Sequence, residues 1–360
     1  MDLEHLATAS GEWLRGAGPE SDIVMSSRVR LARNVEGFPF LGRADVEQRR
    51  QLEAILRDAV TGALADAGEG DAGVLYMPLE DAADLDLRLL VERHLISREL
   101  ADGEGARGVA FSRSEGTAVM VNEEDHLRAQ VLRSGLELEA CWVDLDRLDD
   151  AVAERVAYAF SPDLGYLTAC PTNVGTGMRV SVMLHLPGLV WTEQIPKVFE
   201  SIRRMGLAVR GLYGEGTQAS GDFFQVSNQR TLGVSETEII GSLGSVVPRI
   251  LSYERRAREG LLEKSRRQVD DRVSRAYGML RHARTISSEE TLLFLSAVRL
   301  GVNLGLIDDL PISRVNELFI LSQPAHLQKI SGQVLEREAR NAARAEFLRL
   351  RLNGRDSAGA

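Results

Sequence analysis

Ten residues, Cys170-Pro171-Thr172-Asn173-Val174-Gly175-Thr176-Gly177-Met178-Arg179, gather a thiol, a glycine-hinged loop and an arginine. Two glycines and two threonines can bring backbone N–H groups and hydroxyls close to a ligand. Arg179 opens a stretch of strand character, Val180-Ser181-Val182-Met183-Leu184. A strand is a rigid place to hold a charge. The stretch reads as a phosphate-handling site beside a cysteine. It is not the usual phosphate loop, since G-x-x-x-x-G-K-[ST] does not occur.

Four further clusters could carry chemistry. In Ser26-Ser27-Arg28-Val29-Arg30, a strand would project Arg28 and Arg30 to one face, where they repel unless an anion lies between them. The bland alternative is a solvated edge strand. Asn122-Glu123-Glu124-Asp125-His126-Leu127-Arg128 follows a strand signal. It is either a solvated acidic turn, or a carboxylate for a cationic substrate with Arg128 on a phosphate. His94 stands alone in Glu92-Arg93-His94-Leu95-Ile96-Ser97; most such histidines are structural, and without H-x-x-x-H or C-x-x-C spacing no metal site is expected. Arg210-Gly211-Leu212-Tyr213-Gly214-Glu215-Gly216-Thr217-Gln218-Ala219-Ser220-Gly221 ends a strand in a glycine-rich loop. That loop is either a plain surface hairpin or one that closes on a substrate. Arg28, Arg30, Arg128, Arg179 and Arg210 all fall at strand-like positions next to turns. Guanidinium forks suit phosphate oxygens, and a triphosphate with magnesium has charge enough for all five.

The 360 residues suffice for about two domains. A net charge of −10 argues against a general nucleic-acid or membrane-surface binder. Of 43 basic residues only Lys197, Lys264 and Lys329 are lysines, a bias that codon usage alone can produce. Two cysteines give no disulfide framework. The acidic N-terminus has no apolar signal segment, and no apolar run is long enough to span a bilayer. A reducing, cytoplasmic setting is expected.

The elements that must position these groups follow from periodicity. A short helix and a turn fill residues 1–20. Helices are expected at Val46–Ala65, Leu85–Leu95, Asp144–Ala159 and Glu193–Met205. Strands are expected at Gly73–Met77, Gly108–Phe111, Thr117–Val121, Arg179–Leu184, Leu207–Leu212 and Phe223–Ser227. From Ser235 the chain reads as helix after helix, with helix-start boxes at Ser235–Glu238 and Ser287–Glu290. The expectation is therefore an α+β unit over 1–255, a helical domain over 256–352 and a disordered tail over 353–360.

Taken in order, these clusters resemble the ATP:guanidino phosphotransferases, the phosphagen kinases. The matching pieces are Ser27 to Arg30, Asn122 to Arg128, Cys170 to Thr176 and Ser227-Asn228. Pro19 to Val24, His94 to Ser97, Arg210 to Gly216 and Gln323 to Gln328 make the chain most similar to the bacterial branch that phosphorylates arginine in proteins. The resemblance runs over nearly the whole chain. It implies an antiparallel sheet flanked by helices, of the glutamine-synthetase-like type, followed by an all-helical C-terminal domain.

The resemblance also implies roles. ATP with Mg2+ would be held by Ser26, Ser27, Arg28, Val29 and Arg30, by Arg128, by Arg179, Val180, Ser181, Val182 and Met183, and by Arg210, Gly211, Leu212, Tyr213, Gly214 and Glu215, with His94 near the adenine. Glu124 would bind and deprotonate the guanidinium, and Cys170 would contact it. The family usually has a second glutamate where this chain has Gln218, which can accept a hydrogen bond but take no proton; Glu215 or Glu123 is available to compensate. Arg340, Asn341, Arg344 and Ala345 resemble a motif that binds phosphoarginine allosterically, with Asn341 in place of an aspartate. The implied activity is protein arginine phosphorylation that marks proteins for a Clp protease and regulates a heat-shock repressor. The implied partners are a second copy of the chain and a zinc-binding activator protein. A kinase for free arginine and a weakly active ATP- or phosphoarginine-binding adaptor are the alternatives.

Overall fold

The computed structural model describes residues 3–69, 73–211 and 221–354. Ten strands are assigned among them: β1 (Val24–Arg33), β2 (Val74–Pro78), β3 (Gly108–Ser112), β4 (Thr117–Val121), β5 (Leu127–Ser134), β6 (Phe160–Ser161), β7 (Gly165–Tyr166), β8 (Met178–His185), β9 (Leu207–Gly211) and β10 (Phe223–Asn228). Eight form one sheet in the order β2-β3-β4-β5-β1-β8-β10-β9, and every neighbouring pair is antiparallel. Helices α1 (Glu4–Thr8), α2 (Val46–Leu64), α3 (Asp84–Glu92), α4 (Arg98–Ala101), α5 (Leu138–Ala153), α6 (Pro187–Trp191) and α7 (Ile195–Arg204) are interspersed. Then come α8 (Glu236–His282), α9 (Ser288–Asn303), α10 (Ile312–Leu321), α11 (Pro324–Ser331) and α12 (Arg337–Leu352).

Period-two alternation divides the sheet. Val29 and Leu31 of β1, Val180 and Val182 of β8, Val131 of β5 and Val226 of β10 face one way, into a core with α2, α5, α7 and the first part of α8. Their neighbours Arg28, Arg30, Arg179, Ser181, Gln130 and Ser227 face the other way. That second face is covered at one end by α1, α3 and α11 and beside β10 by α9 and α10. A polar cleft is left between them. α8, α9 and α2 start with capping boxes on Ser235, Ser287 and Asp45. α8 runs unbroken past residue 255, and its backbone leaves helical geometry at Ser265 (φ −141°, ψ 25°). None of the described helices is long and apolar enough to cross a membrane.

Two expectations are corrected. The helix expected over 144–159 is Leu138–Ala153, because Leu138, Cys141, Leu145, Leu148 and Val152 form its buried stripe. It stops before Tyr158, whose hydroxyl bonds Asp149 at 3.0 Å. Residues 127–134, given no strand of their own, form β5 in the middle of the sheet. Arg128 and Gln130 stand on its cleft face and interrupt the apolar run that marks a buried strand.

Candidate active site

The antiparallel register builds the cationic face. Arg28 lies opposite Ser181 and Arg30 opposite Arg179. On the other side, Gln130 faces Arg30, and Arg128 is one alternation further along β5. Arg210 on β9 pairs with Gln225 of β10. Four of the five arginines singled out in the sequence thus share adjoining strands, with the fifth two strands away on the same face.

They disturb one another. Burial, then the charges of Arg128 and Arg179, lower the Arg28 pKa to about 10. Arg30 is pushed well down by burial and then by Arg28, Arg128 and Arg179. Arg179 is lowered by burial, Arg210 and Arg128. Compensation is thin: Arg28 Nη2 reaches Gln225 Oε1 at 3.4 Å, and Arg179 Nη2 reaches Ser227 Oγ at 3.1 Å. The buried Arg30 Nε has no protein partner. A cluster of this kind favours an anion that brings acceptor oxygens.

The acidic turn divides its labour. Glu123 points inward, where Arg128 Nη1 donates at 2.6 and 2.8 Å and Ser97 Oγ at 2.5 Å. It holds Arg128 in the cleft and is not available to stand in for a second catalytic glutamate. Glu124 is exposed, and its pKa is raised by partial burial and by the charges of Asp125 and Glu123. Asp125 is buried and accepts Asn34 Nδ2 and the Ala169 N–H, each at 2.6 Å. His126 is structural: its Nδ1 accepts the Val35 N–H and its Nε2 contacts Pro39 O, both at 3.0 Å.

Asp125 thereby ties the Glu124 turn to the loop of Cys170. The Cys170 thiol is partly exposed and sits 3.1 Å from Thr172 Oγ1. Behind it, Thr231 Oγ1 donates to Thr172 O and Val174 O at 2.9 and 2.8 Å. Two of the N–H groups that the sequence offered to a phosphate are used inside the protein. The Gly175 and Thr176 N–H groups bond Tyr166 O and Thr231 O. Gly175 is glycine because of φ +110° and a close pass to Thr231. The other cysteine, Cys141, is buried, and burial pushes its thiol up to about 12.

A cavity of about 150 Å3 adjoins the arginines, lined on the sheet side by Ser26, Arg28, Leu132, Ser181, Met183 and Gln225. His94 enters it with left-handed backbone (φ 60°) and stacks edge-on to Trp13 at 5.3 Å. Burial, then Arg28 and Arg30, lower its pKa to about 3, so the imidazole is neutral.

Other expected site residues are placed elsewhere. The Val29, Val180 and Val182 side chains lie in the opposite core, because a strand alternates faces. Ser27 is on that face too: its Oγ donates to Gly135 O at 2.8 Å and accepts from the Glu137 N–H. Leu212, Tyr213, Gly214, Glu215 and Gln218 lie outside the described residues. Gly211 ends β9. Arg340, Asn341, Arg344 and Ala345 lie on α12 and line no part of the cavity. Arg344 is buried and donates to Ser322 O, Ile286 O and Asn341 Oδ1 at 2.9, 3.0 and 2.8 Å. Ala345 is in the core, and Arg340 Nη1 bonds Leu335 O at 3.0 Å. Sequence reasoning gave no role to Asn34, Asp125, Ser97 or Trp13. Asp125 was visible only as one of three consecutive carboxylates.

The family model described as ATP:guanido phosphotransferase, C-terminal catalytic domain, matches residues 56–257. The one described as Protein-arginine kinase McsB C-terminal domain matches residues 266–359. The chain is 46% identical to the protein-arginine kinase of Symbiobacterium thermophilum over 97% of its length and 99% of the relative's. It is 44% identical to that of Bacillus subtilis, over 98% of its own length and 96% of the relative's. Among solved structures, lombricine kinase superposes with a TM-score of 0.58 at 27% identity, over 71% of each chain. The duplicated taurocyamine kinase of Schistosoma mansoni, with transition state analog components, gives 0.58 at 31% identity over 66% of this chain and 34% of that one. The chain therefore belongs to the ATP:guanido phosphotransferase family, on its protein-arginine kinase branch.

Proposed function

We propose that this protein transfers the γ-phosphate of ATP to arginine side chains of proteins. The observation that carries the reading is the face shared by Arg28, Arg30, Arg128 and Arg179, with Glu124 and Cys170 anchored together at its edge. The arginines take the phosphate oxygens, and Arg30 Nε, buried without a partner, is a donor waiting for one. Magnesium would enter on the nucleotide and neutralise phosphate charge. Among the described residues no group of three or more His, Cys, Asp or Glu could hold it by itself.

The acceptor is a guanidinium whose pKa exceeds about 12, so its nitrogen is a poor nucleophile. Glu124 accepts its N–H bonds, fixes its plane and takes one proton as the N–P bond forms. The P–O bond to the departing ADP breaks in the same step. Such base help is worth roughly 10²–10⁴ in rate, and one well-placed arginine on the transferring group about 10³–10⁵. Cys170 faces the cation from the far side of the shared anchor. The neutral His94 and the apolar cavity suit the base of the nucleotide.

In this reading residues 1–255 form the catalytic unit and 256–352 a helical domain that dimerises and carries the phosphoarginine motif. Marking of proteins for a Clp protease, control of a heat-shock repressor and a zinc-binding activator complete it, resting on the family resemblance. The test is mass spectrometry after incubation with Mg-ATP and either an unfolded protein or free arginine. Acid-labile phosphoryl adducts on protein arginines are expected. Phosphorylation of free arginine alone would give the small-guanidino kinase instead, and no transfer to either would leave a binding adaptor.

A further inference from the structure

We infer that helix α10 of the C-terminal helical region forms the far wall of the nucleobase cavity. Binding of a purine base is then linked to docking of that region. The inference rests on the ATP reading above and adds to it a wall that belongs to no strand of the sheet. Phe319 and Ile320 of α10 line the cavity beside Met183 and Phe223. Phe319 meets Phe223 edge-on, with ring centroids 4.9 Å apart at 87°. The cavity is apolar there and polar toward Arg28 and Ser181, beyond which Arg30 and Arg179 follow on the same two strands. A cavity of this order with aromatic rings in its lining accepts a flat ring. Arginines beside one end fix which way a nucleotide enters: base toward α10, phosphates toward β1 and β8.

The wall is held from both sides. Arg299 Nε donates to Asn316 Oδ1 at 3.0 Å, and Asn316 Nδ2 donates to Leu14 O at 3.2 Å, next to Trp13. At the far end of α10, Ser322 O accepts from the buried Arg344 Nε at 2.9 Å. Displacement of α10 therefore opens the cavity and disturbs the anchors of α9, α12 and the N-terminal turn together. By reciprocity, a ligand filling the cavity favours the docked arrangement. Phe319 and Ile320 are thus specificity-determining positions for the base, supplied by the helical region.

The experiment uses the full chain with two ligands, MgADP and magnesium-bound inorganic triphosphate, which has the charge but no base. Hydrogen exchange across Ile312–Leu321 should slow with MgADP and stay unchanged with triphosphate. Phe319→Ala should weaken MgADP about tenfold, the scale of one lost base–aromatic contact, and leave triphosphate affinity unchanged. Phe319→Leu keeps the apolar volume should the alanine variant not fold, and should weaken MgADP in the same selective way. MgADP binding without protection of α10 overturns the inference, as does wild-type affinity in both variants or equal weakening of both ligands. A wild type that binds neither ligand overturns the ATP reading and this inference with it.

Discussion

Asp125 Oδ1 accepts the backbone N–H of Ala169 at 2.6 Å, and each of these two residues adjoins a proposed reactive group. Glu124 precedes one, and Cys170 follows the other. The same oxygen takes Asn34 Nδ2 at 2.6 Å, which anchors the pair to the end of β1. Carboxylate and thiol are thus positioned by one buried atom. Asp125→Ala removes the anchor and should lower kcat roughly 10- to 100-fold, the cost of small misplacements at a reacting centre. Nucleotide affinity should stay put, because the arginine face is untouched. Asp125→Asn keeps an acceptor at Oδ1 and should recover most of the rate. Wild-type kcat in the alanine variant would show that the anchor has no catalytic consequence.

Glu124 sets the pH dependence of the reaction. Its pKa is raised above the ordinary 4.5 by partial burial, then by Asp125 and Glu123. The base must be ionised, so kcat/KM should be full well above that raised value and fall as pH drops through it. The acid limb should therefore lie above 4.5. Glu124→Gln should lose roughly 10²–10⁴ in kcat, lose the limb and bind MgADP normally. Near-normal turnover in this variant would remove Glu124 from the mechanism.

Much of this site was legible in the chain. The Ser-Ser-Arg-Val-Arg run announces a strand with both arginines on one face, since alternation needs no tertiary information. The division of labour between Glu123 and Glu124 was hidden, because it depends on a turn that sends one side chain to Ser97 and Arg128 and leaves its neighbour in solvent. The internal bonding of the glycine loop was hidden for a related reason. The Gly175 and Thr176 N–H groups meet Tyr166 and Thr231, and neither contact has a local sequence signal. The α10 wall is separated from the sheet residues it faces by about a hundred positions or more and follows only from packing.

The arginine face stores repulsion that a ligand relieves. Arg30 is held far below its ordinary pKa by burial and three like charges, with Glu123 alone opposing. Arg30→Met should therefore raise Tm in the absence of nucleotide while costing about 10³ in kcat. Inorganic triphosphate should stabilise the wild type strongly and the variant weakly, since only bound anion shifts the folding equilibrium. Arg179→Ala should likewise nearly abolish turnover. A fall in ligand-free Tm for Arg30→Met would contradict the repulsion argument.

The loop behind Cys170 depends on Gly175. A Cβ there would meet Thr231 O at 2.2 Å, on a backbone with φ +110°. Gly175→Ala should destabilise the fold by about 2 kcal/mol or more in urea titrations. It should also speed alkylation of Cys170, because Thr231 no longer pins Thr172 and Val174. An unchanged alkylation rate in a destabilised variant would place the strain elsewhere.

Acid stability is governed by imidazoles that the fold keeps neutral. His94, His126, His185 and His326 all have lowered pKa values, with burial the largest cause in each. His185 is the clearest case. Its Nδ1 lies 3.0 Å from Arg299 Nη1, and its Nε2 lies 2.9 Å from Ser296 Oγ, which donates to Asp222. Protonating Nδ1 would set a second cation against Arg299. The unfolded chain takes up these protons near pH 6.5 and the folded chain does not. The stability they contribute is therefore complete above about 6.5 and declines as pH falls below it. Asp125 and Asp222, raised by burial, run the other way over the range above the ordinary 3.8. Between about pH 7.5 and 5.5 each such histidine can contribute a loss of up to about 1.4 kcal/mol. Urea unfolding of the wild type at both pH values should show a net loss on acidification. His185→Gln removes the titrating group and should show a smaller one, and equal slopes in the two proteins would clear His185 of the effect.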